Sequence, residues 1–267
     1  MNFKRIYAIL LRQVYLIRGT ATRFIQIFIW ITVDITLWGF ITKYLTGTAG
    51  AEFNFVPVFL GAVLLWDFST NVMQGVTMLF FEDVWSRNFL NIFASPLKIS
   101  EYIGGLILSG VGRSILALLL MFLLAILAFG FSIFTFGISL AAFLLILFFF
   151  GVALGIIGVS IVLRLGPAAE WLVWPIPALL SPFVGVLYPL SVLPEWMQFI
   201  GQFLPPSYVF AGIREIIDGG AFSASTFLWG LLAALIYIVL AYMIFVKVYK
   251  KAVRTGLIAR YSAETVT

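Results

Sequence analysis

The 267-residue chain contains no cysteine and no histidine. Those absences exclude disulfides, thiolate chemistry and cysteine metal sites, and remove the commonest metal ligand and general base. No G-x-x-x-x-G-K-[ST] phosphate loop, H-E-x-x-H pair or G-x-S-x-G elbow occurs. The sequence therefore offers no catalytic, cofactor-binding or metal-binding residue. Charge is also scarce, at 10% of residues, and no segment is long and polar enough to form a soluble domain. What remains is apolar: 63% hydrophobic, 17% aromatic, with a mean hydropathy of +1.14. A domain with a water-facing exterior could not tolerate that composition. The chain reads as an all-α integral membrane protein with room for about six spans of roughly 20 residues each.

The spans are expected near 24–44, 56–80, 102–129, 136–163, 171–193 and 227–249. Pro175, Pro177 and Pro182 interrupt the fifth, which predicts a kinked helix. An N-terminus placed inside puts nearly every lysine and arginine on the cytoplasmic side, leaving Lys43 and Arg214 outside and Arg113 within a span. Both termini are then cytoplasmic. The net charge of +5 is accounted for by this topology and does not point to nucleic acid. The N-terminus has no compact apolar core followed by a small-residue cleavage site, so it is not read as a removable signal peptide.

Four segments stand out between the spans. Residues 1–20 predict an interfacial helix, with Phe3, Ile6, Tyr7, Leu10, Val14 and Ile17 on one face and Lys4, Arg5 and Arg12 opposite; a plain basic lead-in to the first span is the alternative. The connection 81–101 reads as a short amphipathic helix. Glu82 and Asp83 suit its electropositive start, Trp85, Phe89, Ile92 and Phe93 recur on one face, and Pro96 ends it. It either docks a partner, with Arg87 beside Trp85 and Phe89, or lies on the bilayer surface. Residues 185–219, and 194–220 within the most broken part, are too apolar for an ordinary loop and too interrupted by Pro189, Pro194, Pro205 and Pro206 to cross. They predict an external re-entrant hairpin whose last piece is a short helix near 208–218, with Arg214 reaching Asp218 and glycines 219 and 220 stopping it. The tail 250–267 is basic, then polar, and is expected to be cytoplasmic.

Charges inside the membrane are the sharpest chemical signal, because each costs at least about 2.5 kcal/mol at the bilayer centre. Asp34, Asp67 and Arg113 fall at similar, near-central depths. They predict a polar network, either an ion pair or triad that fixes packing or a polar lining for a substrate route. Gly151, Gly155 and Gly158 predict close approach between helices.

The order of these parts resembles the membrane subunit of ABC-2 type exporters. The most specific pieces are ED-x-W-S-R-N-x-L-x-x-x-x-A-S-P-L at 82–97 and Y-P-L-S-x-L-P-E-W at 188–196, followed by LPPSY at 204–208 and IRE at 213–215. The resemblance implies a single transmembrane domain over 1–267 that pairs with a second copy of itself and with two copies of an ATP-binding cassette ATPase. ATP and magnesium would then sit on that partner. It further implies that Glu82, Asp83, Trp85, Arg87 and Phe89 couple to the ATPase; the broken, apolar hairpin itself suggests that Tyr188, Pro194, Glu195, Pro205, Pro206, Arg214 and Glu215 form an external gate, or else a static plug that seals the dimer. Such a subunit sits in a bacterial or archaeal cytoplasmic membrane among its lipids. Leu163-Arg164-Leu165-Gly166-Pro167 stands where the polysaccharide-exporting branch carries phenylalanine-arginine-aspartate, which favours the branch that exports drug-like or lipid-like molecules. Polysaccharide or lipid-linked glycan export is the alternative within the family. An ion-coupled transporter using Asp34 and Asp67 is the alternative outside it, although only one segment, rather than a pair, is broken.

Overall fold

Long apolar runs without a breaker become long helices here, and glycine or proline sets where each one stops. The computed structural model describes residues 3–18, 21–49, 56–86, 92, 95–220 and 223–256, and these form helices and turns with no strand among the described residues. Helix α1 covers Phe3–Arg18 and α2 covers Ala21–Ala49. A π-helical turn, Val56–Leu60, leads into α3, Gly61–Trp85. Then come α4 (Ile99–Phe129), α5 (Ser139–Leu165), α6 (Ile176–Val184), α7 (Glu195–Phe203), α8 (Pro205–Ile217) and α9 (Ala224–Arg254). Among the described residues α4, α5 and α9 are long and apolar enough to cross a membrane.

Helix α5 is the centre of the bundle, packed between α3 and α9, and α4 lies on the other side of α3. Small residues make these contacts close. A Cβ added to Gly151 of α5 would lie 2.6 Å from the Ser69 carbonyl oxygen of α3, and one on Gly155 would lie 2.7 Å from Val76 Cβ. Gly158 meets Thr77 of α3 and Val173 in the same way. Gly75 and Gly110 bring α3 and α4 together backbone to backbone. The Ser69 hydroxyl donates to the Leu147 carbonyl at 3.1 Å, adding a hydrogen bond to the α3–α5 contact.

Three expectations are corrected. The helix expected over 56–80 runs on to Trp85, because nothing in the stretch before Ser86 breaks it. Glu82, Asp83 and Trp85 therefore belong to the end of α3 and do not start a short helix. The expected fifth span, 171–193, is not one kinked helix. A 3-10 turn over Pro167–Leu172 is followed by the nine-residue α6, about 14 Å long at 1.5 Å per residue. Gly185, at a left-handed φ of 69°, then closes α6. Three prolines each remove an amide donor, so no continuous ladder can form.

Helix α1 packs on the bundle by one side. Its buried residues are Ile6, Ile9 and Gln13, while Phe3 and Tyr7 point outward. Arg5 and Arg12 lie at the edge of the buried face and reach carboxylates of the bundle. The basic side of α1 is thus docked on α4, and the aromatic side is left for the surroundings. The tail beyond Gly256 lies outside the described residues.

Candidate functional site

Asp34 near the middle of α2, Asp67 of α3 and Arg113 near the middle of α4 all line one cavity of about 330 Å³. Asp67, Thr70, Asn71 and Gln74 fall at i, i+3, i+4 and i+7, so α3 presents a continuous polar stripe to this space. Sequence reasoning singled out only Asp67. The spacing of its neighbours was the available signal, since polar residues on one face of an otherwise apolar helix mark a wet side. Trp30 and Trp174 also line the cavity, and both are exposed, Trp30 to 68%.

The three charges are gathered, but no ion pair joins Arg113 to either aspartate among the described residues. Asp67 lies close enough to Asp34 for their charges to interact, and the carboxylate whose field reaches Arg113 is Glu82, at the end of α3. No direct pair or triad joins the three among the described residues, and all three line the one cavity. Asp67 Oδ2 and Arg113 Nε are buried and make no hydrogen bond among the described residues.

Asp67 also lines a second cavity, of about 150 Å³, between Trp38 and Trp66 on one side and Val186, Leu187 and Tyr188 on the other. That cavity belongs to the hairpin end of the bundle. Here the Tyr188 hydroxyl donates to the Pro182 carbonyl at 3.0 Å, and Arg214 of α8 donates to the carbonyls of Gly185, Tyr188 (2.7 Å) and Phe210 (2.9 Å). The expected Arg214–Asp218 pair gives way to this clamp, because the open turn at Gly185–Tyr188 leaves carbonyls that need donors. Burial lowers the Arg214 pKa from its ordinary value, and the charge of Asp218 acts against that. Pro194 caps α7 and Glu195 occupies its first turn. Pro205 and Pro206 start α8 and are buried. The Glu215 carbonyl accepts from Gly220 at 2.8 Å, with Gly219 at φ 86° just after the helix. The helix expected over 208–218 starts three residues earlier and closes where it was expected to.

At the opposite end, Glu170 is held between two indoles: Trp85 donates to one carboxylate oxygen at 2.9 Å and Trp174 to the other at 3.3 Å. Phe81 stacks near both, with ring centroids 6.1 Å from Trp85 and 6.3 Å from Trp174. Burial pushes the Glu170 carboxyl above its ordinary value, and the two indole hydrogen bonds oppose that. Sequence reasoning missed Glu170. Its only trace was a lone acid between a Gly-Pro turn and Trp171.

A second set of contacts ties α1 to the same end. Asp83 is fully buried and accepts from Arg12 and from the Tyr102 hydroxyl, the latter at 2.8 Å. Burial works to lower the Arg12 pKa, but the hydrogen bond and charge of Asp83 outweigh it and raise it. Arg5 pairs with Glu101 at 3.2 Å, and Glu101 also caps α4 by accepting from the Lys98 amide at 3.0 Å. Of the residues expected to contact an ATPase, Asp83 is committed internally and Trp85 is 43% exposed. Arg87 and Phe89 lie outside the described residues.

A model of the ABC-2 type transporter family matches residues 4–217. No curated protein matches the chain.

Proposed function

The chain belongs to the ABC-2 type transporter family, and from that premise we propose that it forms the exit route of an ATP-driven exporter for amphipathic, drug-like or lipid-like molecules. Membership makes it the permease subunit of an ABC exporter, a membrane domain with no nucleotide-binding motif of its own that works with an ABC ATPase. The finer reading is a homodimer served by two ATPase copies, with both termini in the cytoplasm and the Trp85 end facing the ATPase.

One observation carries this reading: Asp67 lines two cavities, one shared with Trp30 and Trp174 and the other with Tyr188 of the hairpin. A molecule with an apolar body and a polar head could enter from the side between the indoles and leave by the hairpin end. Val186, Leu187 and Tyr188 of the hairpin line the second cavity, which supports reading the hairpin as the outer gate.

The test locks that gate. A Cβ on Gly230 of α9 lies 3.0 Å from Tyr208 Cβ of α8, so cysteines at both positions are within reach of a disulfide after a small shift. In proteoliposomes containing the chain and its ATPase, the oxidised pair should stop ATP-driven movement of a fluorescent amphiphile, and reduction should restore it. Transport at full rate with the bridge formed would reject the moving gate and leave the hairpin as a static seal.

A further inference from the structure

The charges around the larger cavity do not balance. Two carboxylates, Asp34 and Asp67, and one guanidinium, Arg113, face it, and the remaining polar lining from Thr70, Asn71 and Gln74 is neutral. Asp67 Oδ2 is sealed from water with no hydrogen-bond donor among the described residues. Leaving such a carboxylate unpaired is costly, and because Oδ2 itself is out of reach, a positively charged donor in the cavity would offset it through the other carboxylate oxygen. An anionic head group would meet two carboxylates against one guanidinium. A neutral head would leave Asp34 and Asp67 with Arg113 alone to offset them. The indoles of Trp30 and Trp174 in the lining offer π faces that attract cations.

Resting on the exporter reading above, we propose that this cavity selects amphiphiles with a protonated amine head. Asp67 is the principal counter-ion and Asp34 the second. Trp30 and Trp174 attract the head as it enters, and the apolar tail extends toward Trp38, Trp66 and Leu187 in the neighbouring cavity.

The experiment uses the full chain in phosphatidylcholine nanodiscs and three alkyl probes brominated next to the head, which bear an ammonium, a sulfate or a hydroxyl group. Bromine quenches nearby indoles, so the fluorescence lost in the native chain but not in a Trp30→Phe, Trp174→Phe variant reports occupancy of this cavity. The ammonium probe should quench at a concentration about tenfold or more below the other two, the equivalent of one strong charge contact. Asp67→Asn, nearly the same size, should abolish that preference, and Asp34→Asn should reduce it; if Asp67→Asn does not fold, Asp34→Asn carries the test. Equal quenching by all three heads, or a preference that survives both substitutions together, overturns the amine assignment while leaving an amphiphile route in place. Quenching by none of them overturns the route as well.

Discussion

Arg12→Leu removes one of the two donors to the Asp83 carboxylate, which is 0% exposed at the end of α3. Breaking a buried pair from one side typically costs about 3–5 kcal/mol, because the other charge is left uncompensated. The Arg12 side chain is 30% exposed, so water can reach its end of the bond, and Tyr102 still donates at 2.8 Å. The expected loss is therefore at the low end, about 3 kcal/mol. For a chain of this size that corresponds to a fall of roughly 6–12 °C in melting temperature. Asp83→Asn leaves Arg12 free to turn to water and keeps an acceptor for Tyr102, so it should cost only about 1–2 kcal/mol. The double variant should then melt well above the sum of the two losses, with a coupling of about 1–3 kcal/mol. Intrinsic tryptophan fluorescence of the purified chain, followed through thermal unfolding, reads all four corners of the cycle. Simple additivity would refute the claim that Arg12 and Asp83 act as one unit, and the docking of α1 would have to rest on Ile6 and Ile9 instead.

Gly151→Ala should destabilise the bundle by about 1–3 kcal/mol, because its Cβ would sit 2.6 Å from a backbone oxygen of α3, whereas Gly112→Ala, with nothing within 4 Å, should be silent; equal melting temperatures would show that α3 and α5 are not close-packed there. The raised pKa of Glu170 means that the folded chain holds that proton more tightly than the unfolded one. Stability from this group should thus fall as pH rises from the ordinary glutamate value through the raised one, and Glu170→Gln should flatten that part of the curve; a slope of opposite sign in pH-dependent melting would contradict it. With no native cysteine, Ser95→Cys should be shielded from an impermeant thiol reagent in intact cells and Ser223→Cys should be labelled, and the reverse pattern would invert the orientation.

Much of the helical order was legible because apolar runs bounded by Gly130, Gly166 and the prolines leave little choice. The close contacts of Gly151, Gly155 and Gly158 were legible for the same reason, since small residues at helical spacing have few other uses. What misled was charge. Glu82 and Asp83 read as a helix start because acids favour N-termini, yet Asp83 is held by Arg12 and Tyr102, distant in sequence, which allows α3 to continue past it. Arg5 and Arg12 read only as the basic face opposite the apolar stripe of α1, for lack of any sequence sign that carboxylates would meet them. Arg214 read as a local partner for Asp218, but the hydrogen-bonding needs of the turn at Gly185 appear only once the chain is folded. In the candidate site, Asp34, Asp67 and Arg113 were found as rare intramembrane charges; the polar stripe beside Asp67 and the Glu170 bridge are tertiary features.

The same packing decides how force can travel. From Asp67 to Trp85, α3 is one unbroken helix, a rod of about 27 Å at 1.5 Å per residue. Its middle is fixed to α4 through Gly75 and Gly110, and to α5 through Gly151 and Gly155, where contacts are too close for one helix to slip along the next. A push at Trp85 therefore moves α3, α4 and α5 together, and α1 follows through Asp83 and Glu101. The segment from Pro167 to Phe203 is built differently, from short helices and turns broken by Pro175, Pro182, Gly185 and Pro194. Its links to the moving body include the Trp85–Glu170 bond, the Phe81–Trp174 ring contact and the packing of Val173 on Gly158 at one end, and at the other the hydrogen bonds from Arg214 to the turn and the contact of Trp66 with Phe210 on α8. Relative motion falls where the backbone is already broken and the contacts are few. Those two places are the Trp174 end and the Tyr188 end, and Asp67 lines the cavities at both. A displacement that opens one end need not open the other, which is the geometric requirement for carrying a molecule across without leaving a continuous pore.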